Sequence, residues 1–436
     1  MFRILVADKL GLAGLRQLEE ESDVTVDVKT GLSKTELCSL IPAYDALLVR
    51  SSTQVDADLL SVAEKLRVIG RAGMGVDNID VAVATARGIL VMNTPGVNSI
   101  ATAEHTILLM LAAARHTAEA HQSVHQGEWR RSDFTGVQLY RKVLGLIGFG
   151  RIARHVAKRA RAFDMEVIAF DPYVSEEVGQ EMGIQLVDLE ELLAQADVVS
   201  LHASLSAETL HILNAETLAK TKAGVIIINP SRGQLVDEQA LADALVSGQV
   251  RAAAIDVYNE EPPGTDHPLI GLANVLHTPH LGASTEEAQR DVSIQIVEQV
   301  VDALRNDDFR NSVNMPFPVG PEYDSVLPYL QLGEKIGALQ FHMADAPVRD
   351  VELELLGDTA TEFAKPIATG VLKGLMMNII ADPVNYINAP VLAQEHGIGI
   401  SQVKGLGSSE FANAISCRAN WADGNRVIIG SVFDGE

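Results

Sequence analysis

The sequence has little cysteine and no long hydrophobic run. Its two cysteines, Cys38 and Cys417, lie far apart in the chain and form no CxxC pair. This spacing argues against a disulfide framework and a structural zinc site, and it favours a reducing, cytoplasmic compartment. The longest apolar run, residues 107–114, ends at Arg115 and is much shorter than the roughly 20 residues that span a bilayer. We therefore expect a cytoplasmic protein without a membrane span.

Aromatic residues and positive charge are also scarce. Aromatic residues make up 5% of the chain and hydrophobic residues 47%, so small aliphatic side chains must fill the interior. Lys and Arg total 34 against 58 Asp and Glu, which gives a formal net charge of −24. A field of that sign repels nucleic acid and anionic membrane surfaces, so neither is expected as a partner. An anionic small-molecule substrate would need a locally positive pocket.

The 436 residues provide for about three domains, and their pattern is that of an α/β protein. Short β-branched runs alternate with helical segments, which is typical of βαβ units in parallel sheets. One series of strands is predicted over residues 2–8, 24–28, 45–49, 67–70 and 89–92, and a second series of six over residues 142–148, 165–170, 196–202, 224–229, 252–257 and 274–279. A long helical stretch, residues 99–126, bridges them. We predict two doubly wound parallel-sheet domains, one flavodoxin-like and one of the Rossmann type.

The chain is predicted to leave the second sheet after residue 284. A capping box from Ser284 to Glu287 begins a helix that runs to about Asn306 and returns the chain to the first domain. Three prolines within residues 315–321 then mark a linker. We predict a first domain of residues 1–98 and 287–314, a second of residues 99–286, and a smaller C-terminal α/β domain of residues 315–436 that is incomplete at its end.

A glycine-rich turn follows the strand predicted over residues 142–148. Residues 148–153, Gly-Phe-Gly-Arg-Ile-Ala, match the G-x-G-x-x-A pattern at the start of a helix, where backbone amides bind a pyrophosphate. Asp171 follows the next strand, where a carboxylate accepts hydrogen bonds from the ribose hydroxyls and repels a 2′-phosphate. The pattern predicts NAD rather than NADP, bound by residues 99–286. A structural glycine turn with a solvated aspartate is the alternative.

Three further segments stand at predicted strand ends, where open α/β sheets bind their ligands. They contain Arg232, Glu261 and His280. A histidine is suited to accept the proton of an alcohol while hydride leaves the same carbon, and a nearby carboxylate would orient its ring. An arginine would bind a substrate carboxylate and polarise the C2 oxygen. Each residue alone could be a packed loop histidine, a surface acid or a helix-facing cation, but together they predict a hydride-transfer site.

These motifs resemble those of the D-2-hydroxyacid dehydrogenase family, and the likeness covers nearly the whole chain. Residues 50–53, 70–78 and 279–285 carry much of it. The resemblance implies that Arg232, Glu261 and His280 form the catalytic set. It implies contacts to an anionic substrate by Arg50, Arg71, Met74, Gly75, Val76, Arg232 and His280. It implies contacts to the cofactor by Gly148, Gly150, Arg151, Ile152, Asp171, His202, Ser231, Asp256, His280 and Gly282.

Residues 329–337, 372–375 and 384–390 resemble the additional intervening domain of the longer members of this family. The resemblance therefore implies NAD-dependent oxidation of 3-phospho-D-glycerate to 3-phosphohydroxypyruvate, the first step of serine biosynthesis. Two alternatives stay open. One is another D-2-hydroxyacid dehydrogenase, such as a hydroxypyruvate/glyoxylate or 2-oxoglutarate reductase, and the other is a non-catalytic scaffold that senses NAD.

The helical stretch over residues 99–126 bears on assembly and on metal binding. It presents Ile100, Leu108 and other apolar residues on overlapping faces, more than a solitary surface helix shows, and the family resemblance implies a homodimer or homotetramer. His121 and His125 stand four residues apart on the same stretch, but no third ligand of suitable spacing accompanies them. No metal site is expected.

Overall fold

The structure, a computed structural model, describes residues 1–320, 323–380, 383–405 and 413–433. Pro321 of the predicted linker and the chain end at residues 434–436 lie outside the described residues. The chain forms two compact units, one of Met1–Pro95 with Arg290–Glu436 and one of Gly96–Gln289. The domain boundaries given above stay predictions.

The first unit contains a five-stranded parallel sheet in the order β2-β1-β3-β4-β5. Its strands are β1 (Phe2–Val6), β2 (Val24–Val28), β3 (Ala46–Val49), β4 (Val68–Arg71) and β5 (Leu90–Met92), and its helices are α1 (Leu12–Glu20), α2 (Lys34–Leu40), α3 (Ala57–Val62) and α4 (Val81–Ala86). The strand order is the flavodoxin-like one, which confirms the predicted class. All four residues of β3 are buried, as expected for a strand covered by helices on both faces.

The second unit is built on a seven-stranded sheet in the order β12-β11-β10-β9-β6-β7-β8, with every pairing parallel. Its strands are β6 (Val143–Ile147), β7 (Glu166–Phe170), β8 (Gln185–Leu186), β9 (Val198–Leu201), β10 (Val225–Asn229), β11 (Val250–Ile255) and β12 (Val275–His277). Its helices are α5 (Ser99–Arg115), α6 (Thr117–His125), α7 (Arg151–Arg161), α8 (Glu176–Met182), α9 (Leu189–Gln195), α10 (Ala215–Ala219) and α11 (Glu238–Ser247). This is the Rossmann order with one strand added at an edge. Its strand order reverses between β6 and β9, where such sheets bind dinucleotides.

Helix α12 (Glu286–Arg305) leads into the remaining part of the first unit, which holds a four-stranded mixed sheet in the order β14-β13-β15-β16. Its strands are β13 (Asp350–Leu356), β14 (Gly399–Lys404), β15 (Ala414–Trp421) and β16 (Gly424–Ser431), and its helices are α13 (Tyr323–Met343), α14 (Asp358–Glu362), α15 (Ala364–Met376) and α16 (Ala389–Glu395). Glycines let α13 and α15 pack closely, because a Cβ atom at Gly374 would lie 2.0 Å from the carbonyl oxygen of Glu334.

The structure differs from the sequence prediction in three local features. The short strand β8 makes seven strands where six were predicted. The helical stretch over residues 99–126 consists of two helices, because His116 adopts a left-handed backbone with φ 51° and ends the first helix. Thr285 rather than Ser284 caps α12, since its hydroxyl oxygen accepts the N–H of Ala288 at 3.2 Å. None of the helices in the described ranges is long and apolar enough to cross a membrane.

Candidate active site

The glycine-rich turn joins β6 to α7 at the point where the sheet order reverses. Gly148 has φ 90°, and a Cβ atom at this position would lie 2.6 Å from the backbone nitrogen of Ala203, so a larger residue would be strained. A Cβ atom at Gly150 would meet nothing within 4 Å. Gly150 caps the N-terminus of α7, and Arg151 and Ile152 form its first turn. The turn thus leaves space and free helix amides for a pyrophosphate.

Asp171 lies directly after β7 and contacts this turn. Its Oδ2 atom accepts the N–H of Phe149 at 2.8 Å, and its Oδ1 atom accepts the N–H of Tyr173 at 3.0 Å. Each carboxylate oxygen keeps acceptor capacity beyond these single bonds. The carboxylate is therefore held in one orientation beside the turn, as a ribose-binding aspartate requires.

His202 and Ser231 follow two neighbouring strands, β9 and β10. The side chain of His202 lies 2.9 Å from the hydroxyl of Ser200, and desolvation lowers its pKa well below the usual range. The Ser231 hydroxyl donates to the carbonyl oxygen of Ala203 at 3.1 Å. The Ser231 bond ties the end of β10 to the end of β9 beside the glycine-rich turn, where the family resemblance implies cofactor contacts.

The segment after β10 that carries Arg232 packs against the segment after β11 that leads to Glu261. A Cβ atom at Gly233 would lie 2.0 Å from the carbonyl carbon of Tyr258, so glycine is needed for this approach. The side chain of Gln234 donates to the carbonyl oxygen of Asn259 at 3.2 Å. Arg232 itself donates to the carbonyl oxygen of Ser231 at 2.7 Å. The two segments therefore form one edge of the site.

Glu261 and His280 form a hydrogen-bonded pair. The Nδ1 atom of His280 lies 2.8 Å from the Oε2 atom of Glu261, and both side chains are about two-fifths exposed, at 42% and 37%. Burial raises the pKa of Glu261, but the hydrogen bond and charge of His280 lower it by more, so the pKa stays below its usual value. When Nδ1–H donates to the carboxylate, Nε2 carries the lone pair of the neutral ring. The pair can accept a proton at Nε2 and stabilise the imidazolium that results.

Asp256 lies beneath His280 and is fully buried. Its backbone oxygen accepts the N–H of His280 at 2.8 Å, and its carboxylate accepts the N–H groups of Leu281 at 2.8 Å and Gly282 at 2.9 Å. The hydroxyl of Thr278 donates to the same carboxylate at 2.6 Å. The loop that carries His280 is thus fastened to one buried acid.

Sequence reasoning missed His105, which also contacts this acid. Its Nε2 atom lies 3.1 Å from Oδ1 of Asp256, and its side chain is 10% exposed. His105 lies on α5, far earlier in the chain than the strand-end segments. The available signal was a histidine in a helix rich in apolar residues, where a buried polar side chain needs a partner.

The two early motifs, with Arg50 and Arg71, lie in the first unit. Burial lowers the pKa of Arg50, whereas the charge of Asp8 raises it, and the first effect is larger. The carboxylate of Asp8 accepts the backbone N–H of Arg50 at 2.6 Å, and the side chain of Asn78 donates to the carbonyl oxygen of Arg50 at 2.7 Å. The loop of Arg50 is therefore fixed by side chains on both sides.

The loop after β4 holds the other predicted substrate residues. A Cβ atom at Gly73 would lie 1.7 Å from Nη1 of Arg71, so the guanidinium lies against this glycine. Asn93 donates to the carbonyl oxygen of Met74 at 2.5 Å. Across the described part of the chain, the backbone N–H groups of Met74, Gly75 and Val76 have no acceptor. Consecutive amides without an acceptor are a feature of loops that bind anions.

His121 and His125 stack with ring centroids 6.0 Å apart on α6. Among the residues that the structure describes, no group of three or more His, Cys, Asp or Glu side chains is arranged to hold a metal ion.

Two family models match the chain. The D-isomer specific 2-hydroxyacid dehydrogenase NAD binding domain matches residues 107–282, which contain the glycine-rich turn and the segments of Arg232, Glu261 and His280. The D-3-phosphoglycerate dehydrogenase intervening domain matches residues 325–436. The fold and site define an NAD-dependent dehydrogenase of D-2-hydroxy acids.

Curated relatives narrow the class. D-3-phosphoglycerate dehydrogenase of Methanocaldococcus jannaschii is 44% identical over all of this chain and 83% of its own length. The Bacillus subtilis enzyme of the same name is 41% identical over 96% of this chain and 79% of its own length. The chain belongs to the D-3-phosphoglycerate dehydrogenase family.

Solved structures share the fold of this chain over about seven-tenths of its length. TT0316 protein from Thermus thermophilus is 37% identical with a TM-score of 0.67, over 71% of this chain and 99% of its own. A glyoxylate reductase from Paecilomyes thermophila is 32% identical with a TM-score of 0.66, over 72% of this chain and 98% of its own. Both are covered almost completely, so the rest of this chain is an addition to the architecture they share.

Proposed function

We propose that the protein oxidises the C2 hydroxyl of 3-phospho-D-glycerate to the ketone of 3-phosphohydroxypyruvate with NAD, the first step toward serine. The observation that carries this proposal is the Glu261–His280 pair, 2.8 Å apart, at the carboxyl edge of an NAD-binding sheet. The relatives named above, aligned over nearly the whole chain, support 3-phospho-D-glycerate as the substrate.

His280 acts as the base in this proposal. Its Nε2 atom accepts the proton of the C2 hydroxyl, and the carboxylate of Glu261 stabilises the imidazolium through Nδ1. NAD, when bound, supplies the acceptor for the hydride that leaves C2. The turn around Gly148 and Gly150 would hold the pyrophosphate of NAD, and the carboxylate of Asp171 would accept hydrogen bonds from its ribose hydroxyls.

Arg232 and the first-unit residues are assigned to the anionic substrate. The guanidinium of Arg232 makes a bidentate contact to the substrate carboxylate and stabilises negative charge on the C2 oxygen. Arg50, Arg71 and the free amides of Met74 to Val76 supply positive charge and N–H donors in a protein of net charge −24. A phosphorylated substrate needs such a local reversal of the field.

The protein is proposed to act as a homodimer or homotetramer in the cytoplasm. Ala103 on α5 is buried within the second unit, whereas Ile100 and Leu108 are 54% and 58% exposed. Exposed branched side chains on a well-packed helix support a subunit contact at this face. Cys38 and Cys417 are both free thiols, which supports a reducing compartment.

The direct test follows NADH formation at alkaline pH with 3-phospho-D-glycerate and the purified protein. The proposal predicts sustained turnover with NAD and little with NADP. NAD binding without turnover of any 2-hydroxy acid would instead indicate a sensing scaffold. Turnover restricted to hydroxypyruvate, glyoxylate or 2-oxoglutarate in the reverse direction would indicate a different D-2-hydroxyacid dehydrogenase.

A further inference from the structure

Asp256 is a fully buried carboxylate with an unequal set of partners on its two oxygens. Oδ1 accepts from the hydroxyl of Thr278 at 2.6 Å, the N–H of Leu281 at 2.8 Å and Nε2 of His105 at 3.1 Å. Among the described residues, Oδ2 accepts only the N–H of Gly282, at 2.9 Å. Oδ2 is therefore the oxygen that keeps acceptor capacity for a ligand.

A buried carboxylate is costly unless donors compensate its charge. Desolvation raises the pKa of Asp256, but the hydrogen bonds from His105 and Thr278 together outweigh it, so the pKa stays below its usual value. Among these donors His105 comes from the most distant part of the chain, and its side chain is itself only 10% exposed. An N–H at Nε2 of His105 is thus a shielded side-chain donor to the charge of Asp256.

Asp256 fixes the backbone at His280 and at the two residues after it. His280 has φ 54°, a left-handed conformation that is strained for a residue with a side chain. Its own N–H donates to the backbone oxygen of Asp256, and the next two residues donate to the carboxylate. A rotation of the Asp256 side chain would release Leu281 and Gly282 and let His280 relax.

We propose that His105 is a positioning residue that acts through Asp256. It holds Oδ1, so that the 278–282 loop keeps the strained backbone of His280 and Oδ2 stays available to the carboxamide end of bound NAD. His105 touches neither substrate nor cofactor in this role. The effect of His105 on kcat rests on the proposed function. Its effect on the affinity for NAD can be measured without turnover.

The test compares His105→Leu, which removes the donor, with His105→Gln, whose amide nitrogen can take the place of Nε2. His125→Leu, on the exposed last turn of α6, is the matched control. Calorimetry measures the dissociation constants of NAD and of ADP-ribose, which lacks the nicotinamide. Thermal unfolding reports the stability of each variant, and steady-state assays with 3-phospho-D-glycerate give kcat.

In His105→Leu we expect kcat to fall about tenfold or more, as for loss of a hydrogen bond to a buried charge. NAD should bind several-fold more weakly while ADP-ribose binds within about twofold of the unsubstituted protein, and His105→Gln should recover most of both losses. Equal weakening of NAD and ADP-ribose, or unchanged NAD binding in folded His105→Leu, would overturn the proposal. If the unsubstituted protein shows no turnover, the proposed function fails, and the two dissociation constants still decide the role of His105.

Discussion

The Nδ1 atom of His280 and the Oε2 atom of Glu261 lie 2.8 Å apart, although the two residues follow different strands of the sheet. Glu261 follows β11 and His280 follows β12, and these strands are paired in parallel. The contact depends on the left-handed backbone conformation of His280, whose N–H donates to the backbone oxygen of Asp256. The position of the proposed base is therefore set by its second-unit neighbours.

The Glu261→Gln substitution should move the pH profile of 3-phospho-D-glycerate oxidation toward lower pH. The hydrogen bond and charge of His280 lower the pKa of Glu261, so the charged carboxylate stabilises positive charge on its partner. Without that carboxylate a proton held by the pair is less stable, and the limb of the profile along which activity rises with pH moves to lower pH. The measurement is kcat/KM from pH 6 to 10. A profile that stays in place would remove Glu261 from the pair.

Replacing the proposed base should affect turnover far more than cofactor affinity. His280→Ala is expected to lower kcat by about 10² to 10⁴, the usual contribution of a positioned acid–base group. The dissociation constant of NAD should barely change, because the glycine-rich turn and Asp171 bind the pyrophosphate and a ribose of the cofactor. Steady-state kinetics and NAD titration by fluorescence check the two halves. A loss of less than about threefold in kcat would contradict the assignment.

Arg232→Lys should impair substrate binding and turnover together. An ammonium group keeps the charge but cannot make the bidentate contact of a guanidinium. We expect kcat/KM for 3-phospho-D-glycerate to fall by about 10-fold to 100-fold, with NAD affinity retained. Unchanged kcat/KM would show that Arg232 serves only the loop, where it donates to the carbonyl oxygen of Ser231.

Asp171→Asn should weaken the preference for NAD over NADP. The amide keeps an oxygen that can accept the N–H of Phe149, but it loses the charge that repels a 2′-phosphate. We expect the ratio of kcat/KM values, NADP over NAD, to rise by about tenfold or more. An unchanged ratio would show that another feature excludes NADP.

Gly88 offers a stability test within the first unit. Gly88 and Gly31 both have positive φ, 70° and 74°, but a Cβ atom at Gly88 would lie 2.7 Å from the Asn385 amide nitrogen, whereas at Gly31 it meets nothing within 4 Å. That amide donates to the carbonyl oxygen of Gly88 at 2.6 Å. Gly88→Ala should therefore lower the free energy of unfolding by about 1 to 2 kcal/mol more than Gly31→Ala. Equal losses in chemical denaturation would show that the Asn385 contact contributes little.

Most of the fold could be predicted because hydrophobic patterns repeat along the chain. Buried runs such as those of β3 and β10 stand between helical segments, and this alternation favours parallel sheets. The two-residue strand β8 is too short to give such a signal. The break at His116 was also not visible, because its left-handed backbone occurs at a residue that is neither glycine nor asparagine.

The site could be predicted only in part. Arg232, Glu261 and His280 all follow strands, and carboxyl ends of parallel strands share one edge, so their proximity could be expected. The roles assigned to them remain predictions. The contact between His105 and Asp256 could not be expected, because it depends on how α5 packs across the sheet. The hydrogen bond from Gln234 to the carbonyl oxygen of Asn259 could likewise not be predicted from the sequence.

The most direct test of the proposed function is the ratio of kcat/KM values for 3-phospho-D-glycerate and for unphosphorylated D-glycerate, measured with NAD under the same conditions. In the proposed function, Arg50, Arg71 and the free amides after β4 bind an anionic substrate in a protein of net charge −24. We therefore expect a ratio of about 10² or more in favour of the phosphorylated substrate. Equal values for the two substrates would contradict it.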